Sequence, residues 1–442
     1  MAFIILFTGL YLTVRLRFFQ FTHLGKAIAS AFRRGDGRDG VSPFQATATA
    51  LGSSIGTANI AGVAGAIAAG GPGAVFWMWA AALFGMATKA AEIILAMKYR
   101  DTRVSPPEGG PILYIERGLG RIARPLADAF ALFGCAAAVV GTALVQSNTI
   151  ALSVWDLVSG TGLSRRAVLA FSGVAAAALT GAVITGGAKR IGRFSERAVP
   201  FMAALYISAS LAVIIVFRGR LTRALGEIVS SAFGARGIAG GVCGISFKKA
   251  LSVGTARGVY SNEAGVGSSP MAHAGSAETD PVRQGLLGIF EVFADTMVMC
   301  SMTALVILTS GVPLETGLVS GTALALSAFS AVFGRAAAPF LSAAALLFAF
   351  TSLTGWSLYG ERCAKRLFGC RSTAYYRAAY LAAIPIGAVV GMGRAWRIGE
   401  ALTYLMALPN LVALILLSGE AAREVRLYKM FEKSSDRRYN KG

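Results

Sequence analysis

The chain is short of acidic residues, of histidine and of cysteine, and it carries little charge of any kind. Of 442 residues 14% are charged, with 22 Asp and Glu against 42 Lys and Arg, and only two histidines and five cysteines are present. His23 and His273 lie far apart and flank no carboxylate cluster in the sequence, so the spacing of a metal centre is absent. Cys135, Cys243, Cys300, Cys363 and Cys370 are scattered singly, without the spacing of a disulfide framework, and read as small hydrophobes. The glycine-rich strings at 70–73 and 234–241 follow no strand and precede no Walker lysine, which removes ATP-driven transport from the chain. No nucleophile with a neighbouring base is evident either, so the sequence offers no catalytic residue and calls for no organic cofactor.

What is abundant is apolar surface. Hydrophobic residues make up 55% of the chain, and the mean hydropathy is +0.62. That is too apolar for a soluble enzyme of this size. Runs such as Val199 to Phe217, Leu286 to Thr309 and Ala336 to Trp356 are nearly free of charge and long enough to cross the hydrocarbon core as helices. They lack the apolar–polar alternation of a membrane barrel. The formal charge of +20 sits in short segments between these runs, the pattern of membrane loops and not of a nucleic-acid surface.

The apolar runs predict an all-α polytopic membrane protein of about eleven helices, near 1–22, 44–69, 73–98, 125–155, 166–186, 196–217, 236–273, 284–311, 336–368, 374–393 and 397–420. In the first of them Arg15 and Arg17 follow the apolar stretch, and no small-residue cleavage site is evident, so it reads as a retained helix and not a signal peptide. Lys and Arg concentrate in 15–38, 98–124, 189–197, 362–377 and the tail 421–442, which places those segments in the cytoplasm, the N-terminus outside and the C-terminus inside. Arg218, Arg220 and Arg223 then fall outside, on an amphipathic interfacial helix with Leu221, Leu225, Ile228 and Val229 toward lipid.

Setting aside 1–22 as an extra N-terminal helix leaves ten, or five plus five, over 44–217 and 236–420. That is the arithmetic of an inverted repeat. The opening helix of each half is the one most interrupted by glycine and polar residues: Gly52-Ser53-Ser54-Ile55-Gly56-Thr57-Ala58-Asn59-Ile60-Ala61-Gly62 in the first, Gly258-Val259-Tyr260-Ser261-Asn262-Glu263-Ala264-Gly265 in the second. A break frees backbone groups that cannot stay unpaired in lipid, and a bound ion or zwitterion can satisfy them. Amides starting the half-helix near Thr57 to Asn59 suit a carboxylate. Carbonyls near 52–55 and 258–261 suit an ammonium or a cation.

The segments Pro43-Phe44-Gln45-Ala46, Gly56 to Ala64, Gly70-Gly71-Pro72-Gly73, Tyr260-Ser261-Asn262-Glu263-Ala264-Gly265 and Gly355-Trp356-Ser357-Leu358-Tyr359-Gly360-Glu361-Arg362 resemble the alanine or glycine:cation symporter family, also called the sodium:alanine symporters. The resemblance runs over essentially the whole chain. It implies a leucine-transporter-type inverted repeat, import of alanine or glycine, and sodium as the coupling ion, in a prokaryotic inner membrane and with no obligate protein partner. By resemblance Gly56, Thr57, Asn59 and Ile60 hold the substrate carboxylate, Gln146 and Tyr260 line the pocket, and Trp356 limits side-chain size. Ala58 departs from the family's usual Gly-Thr-Gly-Asn, and its Cβ narrows both backbone freedom and pocket volume.

Ser261 joins the substrate set through the second break, and Ser352 through the helical face it shares with Trp356. Hydroxyls of Thr351 and Ser352 with carbonyls of the first broken helix, at Ser53 and Ile55, offer the hard oxygens of a cation site, which the resemblance assigns to sodium. Of the intramembrane charges Lys89, Glu92, Arg257, Glu263, Glu291 and Asp295, each costly in hydrocarbon, Arg257 and Glu263 read as a structural pair or gate. Asp295 is the alternative seat of cation or proton coupling. Proton-coupled import or amino-acid exchange is thus the nearest rival, ahead of an uncoupled channel, which needs a continuous polar pore.

Overall fold

The computed structural model describes residues 1–32, 41–233, 247–314, 321–391 and 393–439. Apart from two isolated bridges, Val41 with Ser276 and Asp101 with Glu108, the described residues form only helices and connections. Helix α1, Ala2–Arg15, stops short of residue 22 because Arg17 and Phe18 both take positive φ, 56° and 55°, and turn the chain into the short helix Phe19–Thr22.

The second expected span is two helices. In α2, Pro43–Ser54, the Ser42 hydroxyl accepts the Gln45 amide at 3.1 Å, the Gln45 side chain accepts the Ser42 amide at 3.2 Å, and Pro43 opens the helix with its φ already set. After a break comes α3, Ala61–Gly70, and the two segments are bent by 60°. Gly71, at φ 73°, ends α3 and leads into α4, Gly73–Lys98.

Next come α5 (Arg121–Val158), α6 (Arg165–Ile184) and α7 (Gly187–Val216). The interfacial helix α8 follows, Leu221–Ala232. Its outward face carries Leu225 and Val229 as expected, but Ile228 is fully buried against the protein, because one helical face must cover the bundle. Arg220 before it donates to the Ser310 carbonyl at 2.9 Å.

The helix that leads into the second expected break is α9, Phe247–Asn262, and the start of its expected span at 236, like Cys243, lies outside the described residues. Then come α10 (Pro281–Ser310), begun by Asp280 accepting the Val282 and Arg283 amides, α11 (Gly321–Phe333), α12 (Ala337–Phe368), α13 (Ser372–Val389), α14 (Gly393–Leu416) and α15 (Ser418–Tyr439). Among the described residues seven helical segments are long and apolar enough to cross a membrane, or eight with the bent pair α2–α3. Large apolar side chains such as Phe171, Val174, Phe201 and Ile215 point outward from these spans, the sign of a lipid-facing surface.

Helices α4 and α9 cross at glycine. A Cβ on Gly254 would lie 2.2 Å from the Ala74 carbonyl oxygen, so only hydrogen fits between the backbones. Gly254→Ala is expected to destabilise the protein by about 1–3 kcal/mol by prising α9 from α4. A lowered thermal unfolding midpoint in detergent is the readout, and an unchanged midpoint would show that the crossing gives way.

Candidate functional site

Helix α2 ends at Ser54, and the chain runs extended through Ile55 (φ −68°, ψ 97°) and Gly56 (φ −136°, ψ −161°) before one 3-10 turn over Thr57–Asn59. The turn's first amides, those of Thr57 and Ala58, have no acceptor within it. Asn59 holds the break shut: its Oδ1 accepts the Gly56 amide at 2.9 Å, and its Nδ2 donates to Asp295 Oδ1 at 2.8 Å and Ser261 Oγ at 3.2 Å.

The second break follows Asn262, where Glu263 (φ 53°), Gly265 (87°) and Gly267 (86°) take left-handed conformations before the short helix Pro270–His273. Glu263 is a rare non-glycine residue there, and its carboxylate is doubly held. Oε1 accepts Trp356 Nε1–H at 3.0 Å, and Oε2 accepts the Ser268 hydroxyl at 2.5 Å. Asp295 joins the breaks. It sits on a π-helical stretch of α10, Phe293–Cys300, is 0% exposed, and accepts from Ser261 at 2.7 Å, Thr296 at 2.9 Å and Asn59.

Between the breaks lies a cavity of about 40 Å³. A single water needs roughly 10–15 Å³ on this measure, so the space admits only something small. Ser53, Ser54, Gly56, Thr57 and Ala58 wall it from the first break, Tyr260 and Glu263 from the second, Ser352 and Trp356 from α12, Gly141, Thr142 and Gln146 from α5, and Thr403 from α14. Gln146 Oε1 is buried with no hydrogen-bond partner, an acceptor aimed at whatever enters. Larger cavities of about 560 and 680 Å³ lie elsewhere, one between the N-terminal segment and α15 and one beside α14, and neither touches a break.

Of the residues singled out for substrate, Gly56, Thr57, Ala58, Gln146, Tyr260, Ser352 and Trp356 come together around this cavity. Asn59, Ile60 and Ser261 do not line it, because Asn59 and Ser261 are turned toward Asp295 and Ile60 is packed in the apolar core. In the cation set, the Ser352 hydroxyl reaches the Gly52 carbonyl at 3.4 Å, and Thr351 packs against Gly52, its Cβ 3.3 Å from where a Cβ on that glycine would lie. Both hydroxyls also bond back to Phe348 O, while Ser53 donates to Thr49 O and to Tyr359. Ile55 contributes only backbone, in the extended stretch after α2.

The expected pairing of Arg257 with Glu263 is not found. Arg257 lies 3.9 Å from Glu400, and Glu263 is engaged by Trp356 and Ser268, because the left-handed turn at residue 263 swings its side chain toward α12. Ser54, Gly141, Thr142 and Thr403 belong to the cavity wall without having been singled out. Thr142 lies on a π-helical stretch, Ala137–Leu144, a local widening with no plain signal in an apolar run.

His273, which has no carboxylate near it in sequence, meets one in space. Lys89 donates to Glu291 Oε1 at 3.0 Å and to Ser269 at 2.8 Å, and Glu291 Oε2 accepts from His273 Nε2 at 3.1 Å. Gln284 donates to His273 Nδ1 at 2.8 Å, which fixes the tautomer that donates to Glu291. Nearby, Asn410 donates to Glu92 at 2.5 Å and to the Gly265 carbonyl at 3.0 Å, and accepts from Tyr114. Lys89 is the one fully buried Lys or Arg among the described residues, against buried Glu92, Glu263, Glu291 and Asp295.

A family model described as the sodium:alanine symporter family matches residues 1–441. The chain is 38% identical over 442 residues to the sodium/alanine symporter AgcS of Methanococcus maripaludis, covering 98% of this chain and 95% of that one. It is 38% identical over 414 residues to the probable sodium/glutamine symporter GlnT of Bacillus subtilis, covering 93% and 84%. Among solved structures it is similar to MhsT, crystallised with L-phenylalanine, with a TM-score of 0.51 and 14% identity over 88% of this chain and 99% of that one, which is a likeness of fold alone.

Proposed function

The chain belongs to the sodium:alanine symporter family, and on that premise we propose that it imports alanine and glycine together with sodium by alternating access. The observation that carries the reading is the small cavity between two helix breaks, walled on one side by Trp356. A relative named for glutamine is as similar as one named for alanine, so identity does not select the side chain. Cavity size favours the smaller.

The substrate carboxylate meets the Thr57 and Ala58 amides, and its ammonium the Gln146 carbonyl oxygen and the Glu263 carboxylate. Tyr260, half-buried at the wall, covers the entrance. Sodium is held by the Gly52 and Ile55 carbonyls with the hydroxyls of Thr351, Ser352 and Ser53, oxygens that suit a hard cation. Binding of either ligand orders the same freed backbone, so each raises the other's affinity by an equal factor.

The architecture proposed is a five-plus-five inverted repeat over 44–217 and 236–420 with one extra N-terminal helix, eleven spans in all, in the inner membrane. The N-terminus lies outside and the basic tail 421–442 in the cytoplasm. A proton-coupled symporter or exchanger is the second reading, favoured by the buried carboxyl of Asp295, which touches both breaks.

Radiolabelled alanine uptake into proteoliposomes, with an inward sodium gradient, an inward proton gradient or neither, tests the proposal. Accumulation driven by sodium alone is expected. Accumulation driven by protons alone would move coupling to Asp295, and uptake without either gradient would remove it. Ala58→Gly should deepen the cavity by one methyl group and raise serine uptake relative to alanine by about tenfold, the discrimination one methylene commands. An unchanged ratio in competition assays would remove Ala58 from the selectivity wall.

A further inference from the structure

The cavity of about 560 Å³ at the junction of α1 and α15 lies far from both helix breaks and is lined by Arg15, Arg17, Arg426 and Lys429. Glu432 is the acidic residue on its wall, and it is already engaged by Lys26 at 2.5 Å and His23 at 3.3 Å. Among the described residues no carboxylate stands within ion-pair distance of Arg15, Arg17 or Arg426. Lys429 stands over the Phe19 ring, 5.4 Å from its centroid. Burial holds the His23 imidazole below its ordinary value, so arginine and lysine carry the positive charge here.

The depth of this cavity follows from its neighbours. Phe3, Ile4, Phe7, Leu10, Tyr11 and Val14 expose an apolar face along α1, and Arg15 marks where that face ends. Helix α15 begins two residues after α14 leaves its span, and Tyr11 is hydrogen-bonded to Ser418 at 2.9 Å, which brings the C-terminal end of α1 and the start of α15 to one membrane surface. Exposed Phe18, Phe21 and Met430 flank the opening, with 51%, 46% and 67% of their surface accessible. Aromatic and apolar side chains beside basic ones mark a headgroup boundary.

The backbone supplies a second, independent observation. Arg17 and Phe18 are consecutive non-glycine residues in the left-handed region, a conformation costly for a bulky side chain and retained where something specific is gained. Arg17 thereby joins Arg15 and Arg426 on the cavity wall, and Phe18 is left exposed.

We propose that this cavity binds the phosphate headgroup of an anionic phospholipid, whose acyl chains lie along the exposed face of α1. Arginine is suited to this, since its fork matches phosphate oxygens two at a time. A bound lipid would tie the N-terminal helix to the C-terminal helix across a junction where Arg15, Arg17 and Arg426 meet no carboxylate among the described residues.

The test uses the whole protein in detergent. Lipid retention by native mass spectrometry and thermal unfolding midpoints are measured with cardiolipin, phosphatidylglycerol, phosphatidylcholine and inorganic phosphate. Cardiolipin and phosphatidylglycerol should be retained and raise the midpoint, while phosphatidylcholine and phosphate at equal concentration should not. The triple variant Arg15→Gln, Arg17→Gln, Arg426→Gln should lose affinity on the order of 100-fold, from about 1 kcal/mol per basic residue at a charged membrane surface. Arg426→Gln alone, exposed on α15 and so no threat to folding, should lose roughly fivefold on the same arithmetic. Equal retention of phosphatidylcholine, equal stabilisation by free phosphate, or unchanged anionic-lipid retention in both variants would each overturn the proposal.

Discussion

Asp295→Ala should abolish coupled uptake, by 100-fold or more, and lower the unfolding midpoint as well. Its carboxylate accepts hydrogen bonds from Asn59, Ser261 and Thr296, one from each break and one from its own helix. Hydrogen bonds to a charged group are worth about 1.5–3 kcal/mol each, and deleting the shared acceptor leaves the buried Asn59 amide only its longer contacts, to Ser261 Oγ at 3.2 Å and the backbone carbonyl of residue 295 at 3.4 Å. Loss of a few kcal/mol at this junction lets the two breaks separate, which spoils the cavity they enclose. Asp295→Asn separates scaffold from charge. It keeps the volume and an acceptor for Asn59, while the Ser261 and Thr296 hydroxyls, which donate to Oδ2, must turn to accept from the new amide, so the midpoint should fall less than in Asp295→Ala while the dependence of uptake on the cation gradient is lost. If Asp295→Asn retained both uptake and its ion dependence, the carboxylate's charge would have no part in coupling.

Trp356→Ala should widen the proposed selectivity from small amino acids to larger ones. The indole closes a cavity of about 40 Å³, and hydrophobic walls discriminate by roughly 1–3 kcal/mol per methylene. Methionine or glutamine should therefore compete with labelled alanine at least tenfold better in the variant, with alanine affinity falling in parallel. The ring is not held by packing alone, because Glu263 accepts its N–H at 3.0 Å. Glu263→Ala should shift the competition profile in the same direction by a smaller factor, and Glu263→Gln, which keeps an acceptor, should restore it. A profile identical to the parent's in Trp356→Ala would move the selectivity wall elsewhere.

The two breaks were legible because their composition is so unlike the rest of the chain. Glycine, serine and asparagine gathered at the start of each half have no packing reason strong enough to offset the helix they interrupt. What the sequence could not convey was direction. Asn59 and Ser261 stand among pocket residues in the chain, but their side chains turn to Asp295, which lies over thirty positions beyond Ser261 and far from Asn59 along the chain. Nothing local fixes such a choice; a partner from a distant helix does.

The same limit explains the charges. Each buried charge was visible singly, as any carboxylate in an apolar run is, yet Lys89 finds Glu291 and Arg257 finds Glu400 only after folding. The pairing of Arg257 with Glu263 followed from proximity in sequence, and the left-handed backbone at Glu263 is what defeated it. Thr142, Thr403 and Gly141 carry no such signal, because a lone hydroxyl or glycine in a membrane helix is ordinary. Only convergence on one space gives them a role.

Lys89 answers for one of the four carboxyl groups buried around it, Glu92, Glu263, Glu291 and Asp295. In a medium of low dielectric the others need a proton, a metal ion or a substrate ammonium beside them. Releasing any of these into water is therefore a separation of charge within the bilayer, where each elementary charge carried across 100 mV amounts to about 2.3 kcal/mol. On the proposed coupling, turnover should therefore move charge through the membrane field, and a voltage clamp should register that movement as a transient current even when no net solute is moved.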